Sequence, residues 1–189
     1  MILVMRVDGE ATRARILIAA GREFAEFGLA GARVDRIAAA ANASKERLYA
    51  YFGDKRALFV AVLTAHMAEV TASMPLDFDD LAGYVGHLFD FAHGHPEHFR
   101  MMDWARLGGD VDLLPAIPEG VVERDAAAIR EAQARGLVDP GWEPGELFAL
   151  LFAVAITQAA TPLREDGRDV TVARRRAVAV RAAAKLIAP

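Results

Sequence analysis

The chain of 189 residues contains no cysteine, which excludes disulfide bonds, thiolate catalysis and cysteine-ligated zinc or iron–sulfur sites. Long apolar runs are also missing, because no stretch reaches the roughly 18 residues that a membrane-spanning helix needs. The opening MILVM has neither the charged start nor the cleavage signature of a secretory signal. Together these absences predict a cytoplasmic protein.

Catalytic patterns are scarce as well. The chain has only two serines, Ser44 and Ser73, and no visible nucleophile with its base or acid–base pair of carboxylates. Its paired glycines do not follow a strand, so a dinucleotide-binding loop is not indicated. We therefore expect a protein without enzymatic activity and without a cofactor.

What the sequence does contain is alanine-rich, helix-forming segments and 54% hydrophobic residues, which predict an all-α fold. The net charge of −4 is divided unevenly along the chain. Residues 1–60 carry ten Lys or Arg against seven Asp or Glu, and the remainder is strongly acidic. Charges more than about 10 Å apart are largely screened at 0.1 M salt, so a basic N-terminal region can attract phosphates despite an acidic body.

Two short helices joined by a tight turn are predicted between Val34 and Lys55. In the first, Val34–Ala41, apolar residues at helical spacing form one buried side. Asn42 then suits the left-handed conformation at a helix end, and Ser44 is expected to cap a second helix that starts at about Lys45. This order of helix, turn, cap and helix is typical of a DNA-binding helix-turn-helix.

The second helix has distinct inner and outer sides. Leu48 and Phe52 lie four residues apart and are expected to face inward. The side chains expected on the outside are those of Lys45, Arg47, Tyr49 and Tyr51. Cations and aromatics of this kind suit base edges and thymine methyl groups in a major groove. The alternative is an ordinary solvated helix side with aromatic edge packing.

Three segments resemble the N-terminal domain of the tetracycline-repressor (TetR) family in order and spacing. They are TRARILIAAGREFAEFG at 12–28, IAAAANAS at 37–44 and LYAYFGDKRALF at 48–59. The resemblance covers about a quarter of the chain. It implies a three-helix DNA-binding domain at 1–54 and a helical-bundle domain for ligand binding and dimerisation at 55–189. Its helices would be 12–27, 34–41 and 44–51, and a fourth would open at Lys55.

The resemblance also implies roles for individual residues. Lys45, Arg47 and Tyr49 would read bases, and the phosphate contacts would be Arg33, Ser44, Tyr51 and Lys55. Two positions depart from the family pattern. Arg33 stands where a capping Thr or Ser is common, so a cap is lost and a cation gained. Glu46 and Arg47 replace a common Gly and Thr or Ser, so base preference is not transferable. Glu46 is expected to accept from a cytosine or to pair with Arg36 or Arg47.

Helical patterns continue through the rest of the chain, with a rod-like helix from Lys55 to a break at Pro75. Asp77 or Asp79 is expected to cap the next helix, which ends near Gly94. The remaining predicted helices run 96–107, 119–135, 143–161 and 170–187. Consecutive Arg174, Arg175 and Arg176 are expected to form a solvated collar.

Several large apolar residues in the middle region suit an adaptable pocket for a hydrophobic ligand. The predicted lining consists of Phe89, Met101, Met102, Trp104 and Phe148. The family resemblance implies a small-molecule site in the same region. The alternative for each residue is ordinary core packing.

The last two helices carry more apolar surface than one partner helix can bury. The predicted dimer interface is formed by Leu147, Leu151, Val154, Gln158, Val172 and Val180. In the family, two such helices from each chain form a two-fold four-helix interface. The alternative is that both helices complete the core of a monomer.

His93, His95 and His98, with Asp90 and Glu97, raise the possibility of a metal site. Gly94 and Pro96 interrupt the helix between them, so an exposed helix junction is the preferred interpretation and no metal is predicted. The sequence thus predicts a homodimeric, ligand-responsive repressor that binds palindromic operator DNA, does not associate with membranes, and is released by a small hydrophobic molecule. The competing hypothesis is an all-α ligand-binding or catalytic module that does not bind DNA.

Overall fold

In the computed structural model the chain is predominantly α-helical, which confirms the predicted fold class. The structure describes residues 2–74, 76, 77, 79–161, 164, 165 and 168–189. The helices of this part are α1 Ile2–Gly31, α2 Val34–Ala40, α3 Lys45–Phe52, α4 Lys55–Ser73, α5 Leu81–Gly94, α6 Pro96–Gly108, α7 Glu119–Ala134, α8 Pro144–Ala160 and α9 Val172–Ile187. A 3-10 turn covers Val111–Leu113, and a short antiparallel ladder joins Arg164–Glu165 (β1) to Arg168–Asp169 (β2).

Most helix ends agree with the sequence prediction to within one or two residues, but two helices differ. The first helix starts at Ile2 rather than Thr12 and, past non-helical angles at Gly28, ends at Gly31 rather than Phe27. Helix α5 is capped by neither Asp77 nor Asp79 but by Asp80, whose carboxylate accepts from the Gly83 N–H at 2.7 Å. The predicted break at Pro75 lies outside the described residues.

The chain divides into two compact units. The first consists of Met1–Ala68 and Glu97–Ala116, and the second of Glu69–Pro96 and Ile117–Pro189. Helix α6 therefore belongs with the N-terminal helices, although it is distant from them in sequence. This division by packing differs from the predicted boundary between residues 54 and 55. That boundary separated a DNA-binding domain from a ligand-binding and dimerisation domain, and it stays a prediction.

The core of the first unit is built by α1 to α4 together with α6. Phe24 and Phe59 pack edge to face with ring centroids 5.0 Å apart. Around them lie completely buried apolar side chains from all five helices, among them Ile16, Ile37, Leu48, Leu58 and Met101. Burial of one side chain of this size stabilises the fold by about 1.5–3 kcal/mol. The short helices α2 and α3 have few internal hydrogen bonds, so they depend on this core for their stability.

Helix α1 contains a kink at Gly28, which has φ +65° and ψ 179°. Trp104 of α6 packs directly against this glycine, and a Cβ atom there would lie 2.9 Å from the indole ring. The indole Nε1 donates to the carbonyl oxygen of Ala25 at 3.1 Å. Ala25 lies just before the point where Gly28 interrupts the helical hydrogen bonds of α1. Gly28 is therefore required both for its backbone angles and for the close approach of Trp104.

The second unit packs α5 against α8 and α9, with α7 beside α8. Its core contains completely buried side chains from each of these helices, among them Leu88, Phe89, Ile129, Leu147, Leu151 and Ala179. Trp142 ties the loop before α8 to the end of α9, because its indole donates to the Leu186 carbonyl at 3.0 Å.

The three consecutive arginines of α9 do not form the solvated collar that the sequence predicted. Arg175 is only 8% exposed, and its guanidinium donates to the carbonyl oxygens of Gln158, Ala159 and Thr161 at 2.9–3.2 Å. Arg176 pairs with both carboxylate oxygens of Asp90 at 2.8 Å. The last carbonyls of α8 have no N–H partner within the helix and carry partial negative charge. This explains why the Arg175 guanidinium is buried there.

None of the helices in the described part of the chain is both long enough and apolar enough to cross a bilayer.

Candidate nucleic-acid interface

The turn between α2 and α3 has the geometry that the sequence predicted. Asn42 adopts φ +49°, and the Ala43 N–H donates back to the Ala38 carbonyl at 3.0 Å. Ser44 lies in extended conformation, and its hydroxyl accepts from the Arg47 N–H at 3.2 Å. Both helix ends at the turn are thus satisfied by local side-chain and backbone groups, and α3 begins at Lys45 as expected.

Helix α3 has one buried side and one exposed side. Leu48 is completely buried and Phe52 is 8% exposed, as predicted from their spacing. The four side chains predicted to face outward, those of Lys45, Arg47, Tyr49 and Tyr51, are all exposed. This surface, which we call the α3 face, combines two cations with two phenol rings on a single helix.

The two predicted lysine contacts already have partners within the chain. Lys45 forms a salt bridge with Asp35 of α2. The Lys55 ammonium donates to the carbonyl oxygens of Ala30 and Ala32 at 3.3 and 3.1 Å, which joins the start of α4 to the end of α1. Lys55 therefore helps to hold the three-helix arrangement together in addition to any contact with DNA.

Glu46 does not form the predicted pair with Arg36. Its pKa lies below the usual value because the carboxylate accepts from its own backbone N–H and from the Ser44 hydroxyl, with a further contribution from the charge of Lys45. The ionised form of Glu46 is therefore favoured at the start of α3, one position short of the usual capping box.

Arg36 pairs instead with Glu23 of α1, a residue that sequence reasoning missed. The guanidinium Nε lies 2.8 and 3.0 Å from the two carboxylate oxygens, and a terminal nitrogen lies 2.6 Å from Oε1. The same Oε1 accepts from the Arg33 N–H at 2.8 Å. Burial raises the pKa of Glu23, but the hydrogen bonds from Arg36 and Arg33 and their charges outweigh it, so the net pKa is lowered.

Glu23 therefore accepts the N–H of the N-cap residue itself, whereas a capping hydroxyl at position 33 would accept from the second or third N–H of α2. Arg33 is the N-cap residue of α2 and makes no side-chain capping bond. The missing hydroxyl at this position was visible in the sequence, but the acceptor for the Arg33 N–H comes from ten residues upstream. Only the packing of α1 on α2 identifies it.

Two arginines of α1 also lie beside the helix-turn-helix. Arg13 is exposed, and its guanidinium lies 5.2 Å from the centroid of the Phe52 ring at the end of α3. Arg15 donates to the Ala41 carbonyl at the C-terminal end of α2, at 3.2 Å. Nothing in the sequence pattern singled out these two arginines.

Tyr51 lies close to the N-terminal part of α1. A Cβ atom built on Gly9 would be 3.3 Å from the Tyr51 hydroxyl oxygen. The absence of a side chain at Gly9 leaves room for this hydroxyl, which is the group predicted to contact a phosphate.

The predicted ligand-lining residues are divided between the two units. Met101 is completely buried and Met102 packs against the same core of the first unit, where Trp104 contacts Gly28. In the second unit Phe89 is completely buried, and Phe148 is half-buried beside Tyr84 and Phe152 with ring centroids 6.4 Å apart in each pair. Core packing explains Met101 and Trp104 directly, and the pocket lined by all five residues stays a prediction.

Tyr84, the neighbour of Phe148, is influenced by a buried carboxylate. Asp125 is 6% exposed and forms a salt bridge with Arg124 at 2.8 Å. Burial raises the pKa of Tyr84 to about 12, and the negative charge of Asp125 adds to this effect. The Tyr84 phenol is therefore neutral at physiological pH.

The predicted dimer residues lie at different depths. Leu147 and Leu151 are completely buried within the single chain, so they belong to the side of α8 that faces the core of the second unit rather than to an outer surface. Val154, Gln158 and Val180 are half-buried, and Val172 is 39% exposed. The outward side of α8 instead carries Leu150, also 39% exposed.

The three histidines near the α5–α6 junction are divided between the two units. His93 stacks on Phe89, and His95 stacks on Phe91 with ring centroids 4.4 Å apart, both within the second unit. His98 is buried in the first unit, where its ring centroid lies 3.7 Å from that of His66. Among the described residues no group of three or more His, Asp or Glu is placed to hold a metal ion.

A short helix capped at a tight turn, buried on one side and cationic on the other, defines a helix-turn-helix DNA-binding protein. Comparison with known families agrees with this class. Residues 16–62 match the model described as bacterial regulatory proteins, tetR family, and residues 80–185 match the tetracyclin repressor-like C-terminal domain.

Individual relatives give the same result. The chain is 42% identical over 150 residues to the HTH-type transcriptional repressor SCO4008 of Streptomyces coelicolor, covering 78% of each chain. It is 34% identical over 97 residues to the HTH-type transcriptional repressor NicS of Pseudomonas putida, covering 48% of this chain and 46% of that one. The crystal structure of the putative transcriptional regulator SCO4942 from Streptomyces coelicolor superposes with a TM-score of 0.81 at 39% identity, covering 93% of this chain and 98% of that one.

The chain therefore belongs to the TetR family of bacterial transcriptional regulators, and it is a DNA-binding, ligand-responsive regulator of this type. The hypothesis of an all-α module without DNA binding is not favoured.

Proposed function

We propose that the protein is a homodimeric repressor without catalytic activity, which binds a palindromic operator and is released by a small hydrophobic molecule. The observation that carries this proposal is the α3 face, whose cations and phenols are exposed on a helix fixed by Asn42 and Ser44. The repressor SCO4008, 42% identical, supports repression rather than activation.

Within the α3 face, we assign base contacts to Lys45, Arg47 and Tyr49. Arg and Lys match the acceptors of guanine, and the Tyr49 ring offers an apolar surface to a thymine methyl. The Lys45–Asp35 salt bridge joins two half-exposed side chains. Exposed pairs of this kind contribute only about 0–1 kcal/mol, so a base or phosphate competes readily for the ammonium.

We assign phosphate contacts to Arg33, Ser44, Tyr51 and Lys55. A lysine ammonium has three donors, and two of those of Lys55 are directed at the carbonyls of Ala30 and Ala32. The third remains for a phosphate oxygen, and the two internal bonds would hold the ammonium in place for it.

For the dimer, we propose an interface on the outward sides of α8 and α9. Leu150 and Val172 are each 39% exposed there, and the half-buried Val154, Gln158 and Val180 would lie at its edge. A two-fold pairing would present two α3 faces to successive major grooves, about 34–36 Å apart. Sedimentation equilibrium tests this: Leu150→Glu should give a folded monomer, and an unchanged dimer would contradict the interface.

For the effector, we propose a hydrophobic molecule bound in the second unit near Phe148. Phe148 is half-buried next to Tyr84 and Phe152, so an aromatic or aliphatic group could pack against these rings. Effector binding would change the separation of the two α3 faces and lower operator affinity.

The decisive experiment is selection of bound sequences from random duplex DNA, followed by a screen of hydrophobic molecules for release of the selected duplex. We expect an enriched palindrome and an affinity that falls steeply with salt, because each neutralised phosphate releases counterions. Retention of no sequence at low salt would overturn the DNA-binding proposal. Retention without release by any hydrophobic molecule would overturn the effector proposal alone.

A further inference from the structure

Both ends of α2 are held by side chains of α1. At the N-terminus, Glu23 accepts from the Arg33 N–H at 2.8 Å. At the C-terminus, Arg15 donates through Nε to the Ala41 carbonyl at 3.2 Å. A helix has partial positive charge at its N-terminus and partial negative charge at its C-terminus, so the acid and the base each lie at the end that attracts them.

The spacing of the two side chains matches the helix between them. Arg15 and Glu23 are eight residues apart on α1, a rise of about 12 Å. Helix α2 has seven residues and a length of about 10 Å. A helix this short is not stable by itself in water, so its position depends on outside contacts.

Glu23 has a second effect, on Arg36. The carboxylate binds the guanidinium through Nε and a terminal nitrogen, while the same guanidinium lies 4.2 Å from the Phe27 ring centroid and donates to the Gly31 carbonyl at 3.3 Å. These contacts hold a cation of α2 against α1.

We propose that Glu23 and Arg15 form a two-ended α2 clamp, in which Glu23 is the positioning residue that holds the N-cap N–H of Arg33 and so fixes the α3 face for operator recognition. The clamp acts on α3 through α2, because α3 follows α2 after a turn of four residues and both helices pack into the same core. The part of this proposal that concerns recognition rests on the proposed DNA-binding function.

The clamp itself is tested without DNA, by amide hydrogen exchange measured by NMR. Glu23→Ala should speed exchange of the Arg33 amide by at least about fivefold, since loss of a helix N-cap corresponds to about 1 kcal/mol. Glu26→Ala is the matched control, because it removes the same charge from an exposed position three residues further along α1. An Arg33 amide that exchanges equally in wild type and Glu23→Ala would overturn the clamp.

The direction of the change in operator affinity distinguishes positioning by Glu23 from a simple effect of its charge. Removing a negative charge near DNA should tighten binding if charge alone matters, and we expect this slight effect for Glu26→Ala. Glu23→Ala should instead weaken operator binding by at least about fivefold. It should leave binding to random duplex unchanged or stronger, since Arg36 is released. Partial unfolding would lower both affinities equally, so the operator-to-random ratio identifies positioning.

A double-mutant cycle with Arg33→Thr provides the rescue. Threonine at the N-cap position supplies a hydroxyl that accepts from the second or third N–H of α2, so it secures the same end of the helix through a different donor. Glu23→Ala should then cost less operator affinity in the Arg33→Thr background than in wild type. Glu23→Gln keeps an acceptor oxygen, so its operator affinity should lie between those of wild type and Glu23→Ala. This milder variant also allows the test if Glu23→Ala fails to fold. Equal costs in the two backgrounds, or tighter operator binding by Glu23→Ala, would overturn the positioning role.

These readouts separate the two proposals. If the wild-type protein binds no DNA at low salt, the proposed function fails, and the exchange rate of the Arg33 amide still decides whether the clamp exists.

Discussion

Helices α3 and α8 differ in how well their sequences reveal which side is buried. Helix α3 alternates charged or phenolic residues with Leu48 and Phe52, and its inner and outer sides agree with expectation. Helix α8 has no charged residue between Leu147 and Ala160, and two residues expected at a dimer surface, Leu147 and Leu151, are completely buried in the chain. A sequence orients a helix when polar contrast is strong, and a nearly uniform apolar helix takes its orientation from its neighbours.

The largest expected effect tests the orientation of α8. Leu151→Ala should lower the free energy of unfolding by about 2–5 kcal/mol, because a completely buried leucine leaves a cavity. Urea unfolding at several protein concentrations measures this, and the loss should not depend on concentration. Leu150→Ala, the exposed neighbour, is the control and should act mainly through association. If the loss of unfolding free energy in Leu151→Ala depended on protein concentration, Leu151 would contribute to the dimer interface.

The next effect tests the outer side of α3. Arg47→Ala should cost about 1–3 kcal/mol of binding to the selected operator and relax the preference at one base pair. Lys55→Ala should weaken operator and random duplex alike and reduce the salt slope by about one. Fluorescence anisotropy with both duplexes distinguishes them. Equal losses on the two duplexes for Arg47→Ala would contradict its role in base reading.

A smaller effect tests the cap that starts α3. Ser44→Ala should destabilise the protein by about 0.5–2 kcal/mol, because the Arg47 N–H loses its acceptor. Ser73→Ala is a natural control, since the other serine ends the exposed last turn of α4. Thermal unfolding of the two variants makes the comparison. A Ser44→Ala protein as stable as Ser73→Ala would show that α3 does not need this cap.

The smallest effect concerns pH. The pKa of Glu23 is lowered in the folded chain from an ordinary value of 4.5, so its contribution to stability is present above that value and is lost as the pH falls through the folded-state pKa. Stability measured from pH 7 down to 3 should therefore fall less steeply in Glu23→Gln than in wild type. Parallel curves would show that Glu23 contributes nothing specific to acid sensitivity.

The success of the sequence predictions depended on how local the determining interactions were. Asn42 and Ser44 act on backbone groups within a few residues, so the turn and the start of α3 were predictable. Arg33 was recognised as lacking a capping hydroxyl, but the bond from its N–H to Glu23 depends on the packing of α1 against α2. Trp104 was assigned to a ligand site because it is large and apolar, whereas it packs on Gly28 in the first unit.

The sequence by itself determined the helical content, the helix-turn-helix and its exposed cations and phenols, because propensity, capping and the contrast between polar and apolar residues operate over a few residues. Tertiary structure decided which apolar residues of α8 are inside the chain, that α6 belongs with the N-terminal helices, and that α2 is held by Glu23 and Arg15. Those outcomes depend on contacts between residues distant in sequence, and the pattern within a single helix carries no information about the partner it meets.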